Sequence, residues 1–188
     1  MSAITFDVRL DAAAATDRLR VIVDRIEARR PFFEAVGLLL TDSARENFRK
    51  ERGPDGMPWT PLAASTIKAR KRRGKSAISI LRDRGALVGS INFAATDVSV
   101  SVGATPIYSA IHQLGGVIEK PERRGKIYRK QLKNGSVGRR FVKRKAANLE
   151  TEVTIPAHQV TIPARPYLGI SATDEKAILE TAERWLLS

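Results

Sequence analysis

The sequence predicts an α+β fold: a small, mostly antiparallel sheet packed with about four helices, plus a projecting basic β-hairpin arm. Three observations predict it. Short runs alternate apolar and polar residues, as half-buried strands do. Longer runs place apolar residues three and four apart, as the buried face of a helix does. Between residues 120 and 150 the chain becomes basic and glycine-dotted, and carries the hairpin-favouring pair Asn134-Gly135.

Ile4, Phe6, Val8 and Leu10 alternate with Thr5, Asp7 and Arg9, which predicts a first strand. Asp11 is a capping residue for a helix to about Arg29, with Ala15, Leu19, Ile22, Val23 and Ile26 on one buried face. Pro31 suits the first turn of a second helix, because an N–H there has no helical partner to lose. Phe32, Val36, Leu39, Leu40, Ala44 and Phe48 give that helix its stripe. Gly37 inside it is less favourable than Ala by roughly 1 kcal/mol, which predicts a close approach by another helix.

Gly53 to Pro61 is a loop rich in helix breakers and holds Trp59. Thr60-Pro61 reads as the cap and first turn of a third helix over 61–73, closed by Gly74. Ile80 to Gly85 reads as a turn and Ala86–Ser90 as a helical turn. Ile91–Ala95 and Val98–Val102 alternate around Thr96-Asp97 as a hairpin. Ile107–Leu114 reads as a short helix stopped by Gly115-Gly116, and Val117–Glu119 as renewed extended chain.

After the basic stretch, Val-Thr-Ile-Pro-Ala occurs twice, at 153–157 and 160–164, before the turn at Arg165-Pro166. Val, Thr and Ile favour strands, while each proline must stand at a strand end or a sheet edge. Ser171 and Asp174 form a capping-box-like start to a last helix that packs Ile178, Ala182, Trp185 and Leu186 inward. With 188 residues, a single domain over 1–188 is expected, its core drawn from 1–119 and 151–188 and its arm from 120–150.

Net charge is +13 and unevenly placed. Residues 62–84 carry eight cations (Lys68, Arg70, Lys71, Arg72, Arg73, Lys75, Arg82, Arg84) against Asp83. Residues 120–145 carry twelve (Lys120, Arg123, Arg124, Lys126, Arg129, Lys130, Lys133, Arg139, Arg140, Lys143, Arg144, Lys145) against Glu122. The remainder is therefore mildly acidic. Two basic segments on such a body point to a polyanion or an acidic protein surface as partner. The contact residues expected are Arg70, Lys71, Arg72, Arg73, Arg123, Arg124, Lys126, Arg139, Arg140, Lys143, Arg144 and Lys145. No zinc finger, RNP pattern or helix-turn-helix is recognisable, so any DNA contact should be backbone-directed and salt-sensitive.

No catalytic constellation assembles, and an enzyme is not expected. His112 and His158 lie 46 residues apart without ligand-spaced partners, and there is no cysteine to bind a metal or bridge. There is no phosphate loop, dinucleotide fingerprint or nucleophile elbow. No metal, cofactor or membrane partner is expected. The N-terminus lacks a signal pattern, and no apolar run nears the roughly 18 residues of a span. A soluble protein of a reducing compartment is the expectation.

Four motifs occur in order: Trp59-Thr-Pro-Leu62 with Ser65-Thr-Ile67; Ile80-Leu81 with Gly85, Leu87 and Ser90-Ile91; Tyr108-Ser-Ala-Ile-His-Gln-Leu-Gly-Gly116; and Ile162-Pro-Ala-Arg-Pro-Tyr-Leu-Gly169. In this order and over this length the chain resembles the phage virion morphogenesis, or tail completion, family of Mu-like and other contractile-tailed phages and prophages. The resemblance implies a structural protein at the head–tail junction, without catalytic residues. The last two motifs also resemble the wider group of neck and tail-terminator proteins, small α/β domains that form rings, commonly six-fold, around the DNA channel. It thus implies as partners further copies of the chain (a hexamer), tail-tube and head-connector proteins, and phage DNA. The implied location is the tail or neck of the virion, after synthesis in the host cytoplasm. Trp59, Tyr108, His112, Gly115, Gly116, Arg165, Pro166, Tyr167 and Leu168 are the residues expected to hold the fold and lie near subunit contacts. The other reading of the charge is a monomeric, basic, non-specific nucleic-acid-binding protein.

Overall fold

A computed structural model describes residues 12–187. The alternating strand expected at Ile4–Leu10 and the cap at Asp11 lie outside the described residues. The fold is α+β, with helices beside small antiparallel sheets. It divides into two compact units. One is formed by the described residues up to Leu114 with those from Ala164 onward, the other by Gly115–Pro163.

The first unit is organised on α2 (Arg30–Lys50), which packs against the hairpin of β1 (Ile91–Ala95) and β2 (Val100–Ala104) and against α6 (Ala172–Leu187). The predicted stripe of α2 is the buried one: Val36, Ala44 and Phe48 are inside, with Phe32, Leu39 and Leu40 half-buried. The core gathers Ala44, Phe48, Trp59, Leu87, Ile91 and Tyr167. Phe48 meets Trp59 edge-on with ring centres 5.4 Å apart and Tyr167 at 5.1 Å. Such tilted aromatic contacts add about 0.5–1.5 kcal/mol each beyond the burial of their area.

Gly37 is a point of close approach, but the neighbour is a strand side chain, not a helix. A Cβ added there would lie 2.3 Å from the Phe93 ring of β1. At the end of α2, Glu51 takes the left-handed conformation (φ 52°) and its carboxylate accepts the N–H of Ile80 at 2.8 Å.

Three expectations need correction. The third helix, α3, spans Ala64–Arg72 and begins after Ala63, not at Thr60-Pro61. The carbonyls of Thr60 and Pro61 are instead taken by the Arg165 guanidinium. In the β1–β2 hairpin the turn is longer than Thr96-Asp97. The Thr96 hydroxyl accepts the N–H groups of Val98 and Ser99, so Val98 sits in the turn and β2 starts two residues later. The first helix, α1 (Ala13–Glu27), buries none of its residues. Leu19, Val23 and Ile26 are exposed, although the helix packs on α6, where Arg25 donates to the Trp185 carbonyl at 2.7 Å. Periodicity identifies an apolar face; it does not supply the surface that covers it.

Short elements complete the unit. Gly85 (φ 81°) caps the single helical turn α4 (Ala86–Gly89), and Ser109–Leu114 forms α5. α6 starts on a full capping box. Asp174 accepts both the N–H (2.8 Å) and the hydroxyl (2.6 Å) of Ser171, whose oxygen receives the Asp174 N–H in return. Ser43 of α2 donates to the same carboxylate at 2.9 Å, which explains why Asp174 is buried.

The second unit is built from strands. β3 (Gly116–Lys120) pairs with β7 (His158–Ile162), and β4 (Arg123–Gln131) pairs with both β5 (Val137–Phe141) and β6 (Leu149–Ile155), all antiparallel. The predicted hairpin is therefore there, at Leu132–Ser136, with a third strand beside it. Gly135 turns with φ 81°, and Leu132 and Ser136 close the turn at 2.8 Å. Pro156 and Pro163 follow directly on the last residues of β6 and β7, as missing donors require. The side-chain amide of Asn148 extends the β4–β6 ladder by one rung. It accepts the Gln131 N–H at 2.6 Å and donates to the Gln131 carbonyl at 2.9 Å.

Candidate functional site

The two C-terminal motifs meet in the first unit around the turn at Arg165-Pro166. The Arg165 N–H donates to the His112 carbonyl at 2.8 Å, and its guanidinium donates to the carbonyls of Thr60 (2.8 Å) and Pro61 (3.0 Å). The Trp59 indole donates to the Pro166 carbonyl at 2.7 Å. Tyr167 and Leu168 donate their N–H groups to the Gln113 side chain, which donates back to the Leu168 carbonyl. The Tyr167 hydroxyl reaches the Ser109 carbonyl at 3.3 Å, and Asn47 holds the Tyr167 carbonyl at 3.2 Å.

This is a dense joint of charge-assisted and amide bonds about a buried tyrosine, and it ties three distant stretches of chain together. Of the residues expected there, Trp59, His112, Arg165, Pro166, Tyr167 and Leu168 come together, and Tyr108 meets the His112 ring edge-on at 5.9 Å. Gly115, left-handed at φ 73°, and Gly116 stand instead in the strand-built unit. Gln113 is a partner with no role expected from its place within the Tyr108–Gly116 motif. Thr60 and Pro61, expected as a helix start, take part instead through carbonyls that leave no side-chain signal.

Burial sets the electrostatics of this joint. It pushes the pKa of His112 below its ordinary value, and the nearby Arg165 charge pushes in the same direction. Burial also lowers Arg165 and raises Tyr167. The Nδ1 of His112 is buried with no hydrogen-bond partner. Burial is thus the first cause of all three shifts.

The basic residues divide by environment. At the end of α3, Arg70 is buried. It donates to the Ser79 carbonyl at 2.6 Å and lies 3.7 Å from Asp83, which Arg73 also reaches at 3.0 Å. Two of that run's four cations thus brace the loop that follows, while Lys71 and Arg72 are exposed. In the strand-built unit, Arg123, Arg124, Lys126, Arg139, Arg140, Lys143, Arg144 and Lys145 are all exposed. Lys126 is hydrogen-bonded to Glu150, which raises the lysine pKa and lowers that of the carboxylate. Arg129 lies over the Phe141 ring at 5.2 Å.

A groove of about 720 Å³ opens between α2, the 51–56 loop and the start of α6. Among its lining carboxylates, Glu46 is bound by Arg49 and Lys50, and Asp174 is spent on its capping box. No group of three or more His, Asp or Glu side chains suited to a metal occurs among the described residues. Nor does any described helix have the length and apolarity to cross a membrane.

The profile described as the phage virion morphogenesis family matches residues 10–187. Comparison with curated proteins and with solved structures finds no match.

Proposed function

The chain belongs to the phage virion morphogenesis family, a family of structural assembly proteins, and on that premise we propose that it completes the tail or neck at the phage head–tail junction. In this reading it forms a ring, with six copies as the expected number, around the DNA channel. It touches tail-tube and head-connector proteins on either side and resides in the virion. The exposed cations between Arg123 and Lys145 meet either the DNA backbone or acidic surfaces of neighbours; Lys71 and Arg72 add to them. The observation that carries this reading is the family match over nearly the whole chain. The exposure of the strand-borne cations supports it, because a solvated basic sheet attracts a polyanion without reading its sequence. The joint around Arg165 and Tyr167 then serves the body of the subunit, not chemistry.

The test is a phage whose copy carries neutral residues at Arg139, Arg140, Lys143, Arg144 and Lys145. The folded variant should accumulate unjoined heads and tails, and fully infectious particles would overturn the assignment. An image of the particle at the junction would give position and copy number directly.

The same exposed cations favour a second reading, a monomeric non-specific nucleic-acid-binding protein. Solution mass together with a salt titration of DNA affinity separates the two. A monomer with steep salt-dependent affinity supports the second reading; a ring supports the first.

A further inference from the structure

Among the described residues, β5 and β6 are the two outer strands of the three-stranded sheet, and they carry opposite charge. β5 reads Val-Gly-Arg-Arg-Phe and β6 reads Leu-Glu-Thr-Glu-Val-Thr-Ile. Arg139 and Arg140 are exposed on one edge, Glu150 and Glu152 on the other. Lys126 of the central strand is bonded to Glu150 and stands in register with Glu152, so it neutralises part of the acidic edge. On the opposite edge, Arg139 and Arg140 form no ion pair with the sheet.

We propose that the β5 edge of one copy joins the β6 edge of the next. Arg140 precedes Phe141 and so lies on the face of Glu150 and Glu152, opposite that of Phe141 and Leu149, while Arg139 stands at the register shift between the Arg129 and Gln131 pairs and adds its charge to the same edge. Charged residues on an edge strand ordinarily prevent strand addition. Here the signs differ between edges, so the charges act selectively. A two-fold dimer would pair like edges, setting arginines against arginines or glutamates against glutamates, and like charges placed opposite are destabilising. Pairing of unlike edges is head-to-tail, and head-to-tail contacts generate rings when the rotation closes. Because β5 and β6 each run antiparallel to β4, they run parallel to each other. A joint that carries the sheet onward in the same sense is therefore parallel. Phe141, Arg129 and Leu149 lie in one register row, so the apolar residues of both edges share a sheet face, and the joint would make that face continuous between copies. Phe141, 67% exposed in the single chain, would gain cover there.

The inference rests on the reading that the chain assembles with itself, and names the edges that do so. The test uses full-length chain in three charge variants, each verified as folded by circular dichroism. R139E/R140E makes both edges acidic and E150K/E152K makes both basic; R139E/R140E/E150K/E152K exchanges the signs. Sedimentation velocity should show each single-edge variant at least tenfold weaker in self-association than the unaltered chain. The four-fold exchange should restore association, and so should an equimolar mixture of the two single-edge variants, now as alternating copies. Association of the single-edge variants at unaltered strength would overturn the joint and leave the ring reading intact, as would failure of the mixture to associate. An unaltered chain that stays monomeric at every concentration overturns the joint as a contact made between free copies. The ring reading is then decided by the particle image, which does not depend on which edges meet.

Discussion

The side-chain amide of Gln113 pairs with the backbone of Leu168 through both of that residue's polar groups, accepting its N–H at 3.0 Å and donating to its carbonyl at 2.8 Å. A side chain thus acts as one residue of an adjoining strand, and it also takes the N–H of Tyr167 at 2.9 Å. Replacing Gln113 by Leu strands three backbone groups in a partly buried place. Leaving such groups unpaired costs about 1–3 kcal/mol each where water cannot reach them. A total near 3 kcal/mol is expected, seen as a fall of about 6–12 °C in Tm. Gln113→Glu keeps the two accepted bonds but sets an anionic oxygen against the Leu168 carbonyl. Its deficit should shrink as acid protonates the carboxyl, and a deficit independent of pH would contradict the pairing.

Arg165 tests the other half of the joint. Its Nε and Nη2 serve two adjacent carbonyls, of Thr60 and Pro61, a fork that a lysine ammonium on a flexible stem cannot reproduce. Arg165→Lys should lose about 1.5–3 kcal/mol in denaturant unfolding, the range for bonds from a charged donor. Arg165→Ala should lose more, since it also empties a buried site. Equal stability of Arg165→Lys and the unaltered chain would show that charge alone suffices there.

These two residues also mark what the sequence made legible. The stripe of α2, the capping box at Ser171, the turn at Gly135 and the prolines closing β6 and β7 were all readable, because each follows from a local rule of spacing or backbone freedom. What was not readable depends on partners. Thr60-Pro61 looks like a helix start until Arg165, a hundred residues away, claims its carbonyls. The repeated Val-Thr-Ile-Pro-Ala gives no hint that its copies pair with different strands, β4 and β3. Arg70 looks like its three basic neighbours, yet it is the buried one, and its side chain donates to the Ser79 carbonyl while Arg73 meets Asp83 from an exposed position. The exposed stripe of α1 shows the converse: an apolar periodicity with little among the described residues to cover it.

Gly37 gives a sharper packing test. A Cβ there would lie 2.3 Å from Cδ2 and 2.6 Å from Cγ of Phe93, so the ring must move or α2 must shift from β1. Alanine gains roughly 1 kcal/mol of helix propensity over glycine, against about 1–3 kcal/mol for overpacking. Gly37→Ala should therefore come out destabilised or near neutral, not stabilised as an exposed site would be. Adding Phe93→Leu should let the propensity gain appear, giving a coupling of about 0.5–3 kcal/mol in the double-mutant cycle. Additive effects of the two changes would mean that the ring yields without strain.

His112 predicts a pH dependence. Burial, then the charge of Arg165, hold its folded pKa below the ordinary value of 6.5. A proton on Nδ1 would have no acceptor, since that atom is buried without a partner. Below the ordinary pKa the unfolded chain therefore binds a proton that the folded chain resists. The contribution is complete above about pH 6.5 and is lost as pH falls through that value towards the lower folded one. Because the His112 carbonyl also receives the Arg165 N–H, acid should loosen the joint locally before the protein unfolds globally. Denaturant unfolding between pH 7.5 and pH 5, on the order of the histidine range, should show stability falling with acid. The slope should be shallower in His112→Gln. Hydrogen exchange at Arg165, Tyr167 and Leu168 should accelerate over the same interval. An identical slope in His112→Gln would assign the acid sensitivity to the carboxylates and leave His112 as packing alone.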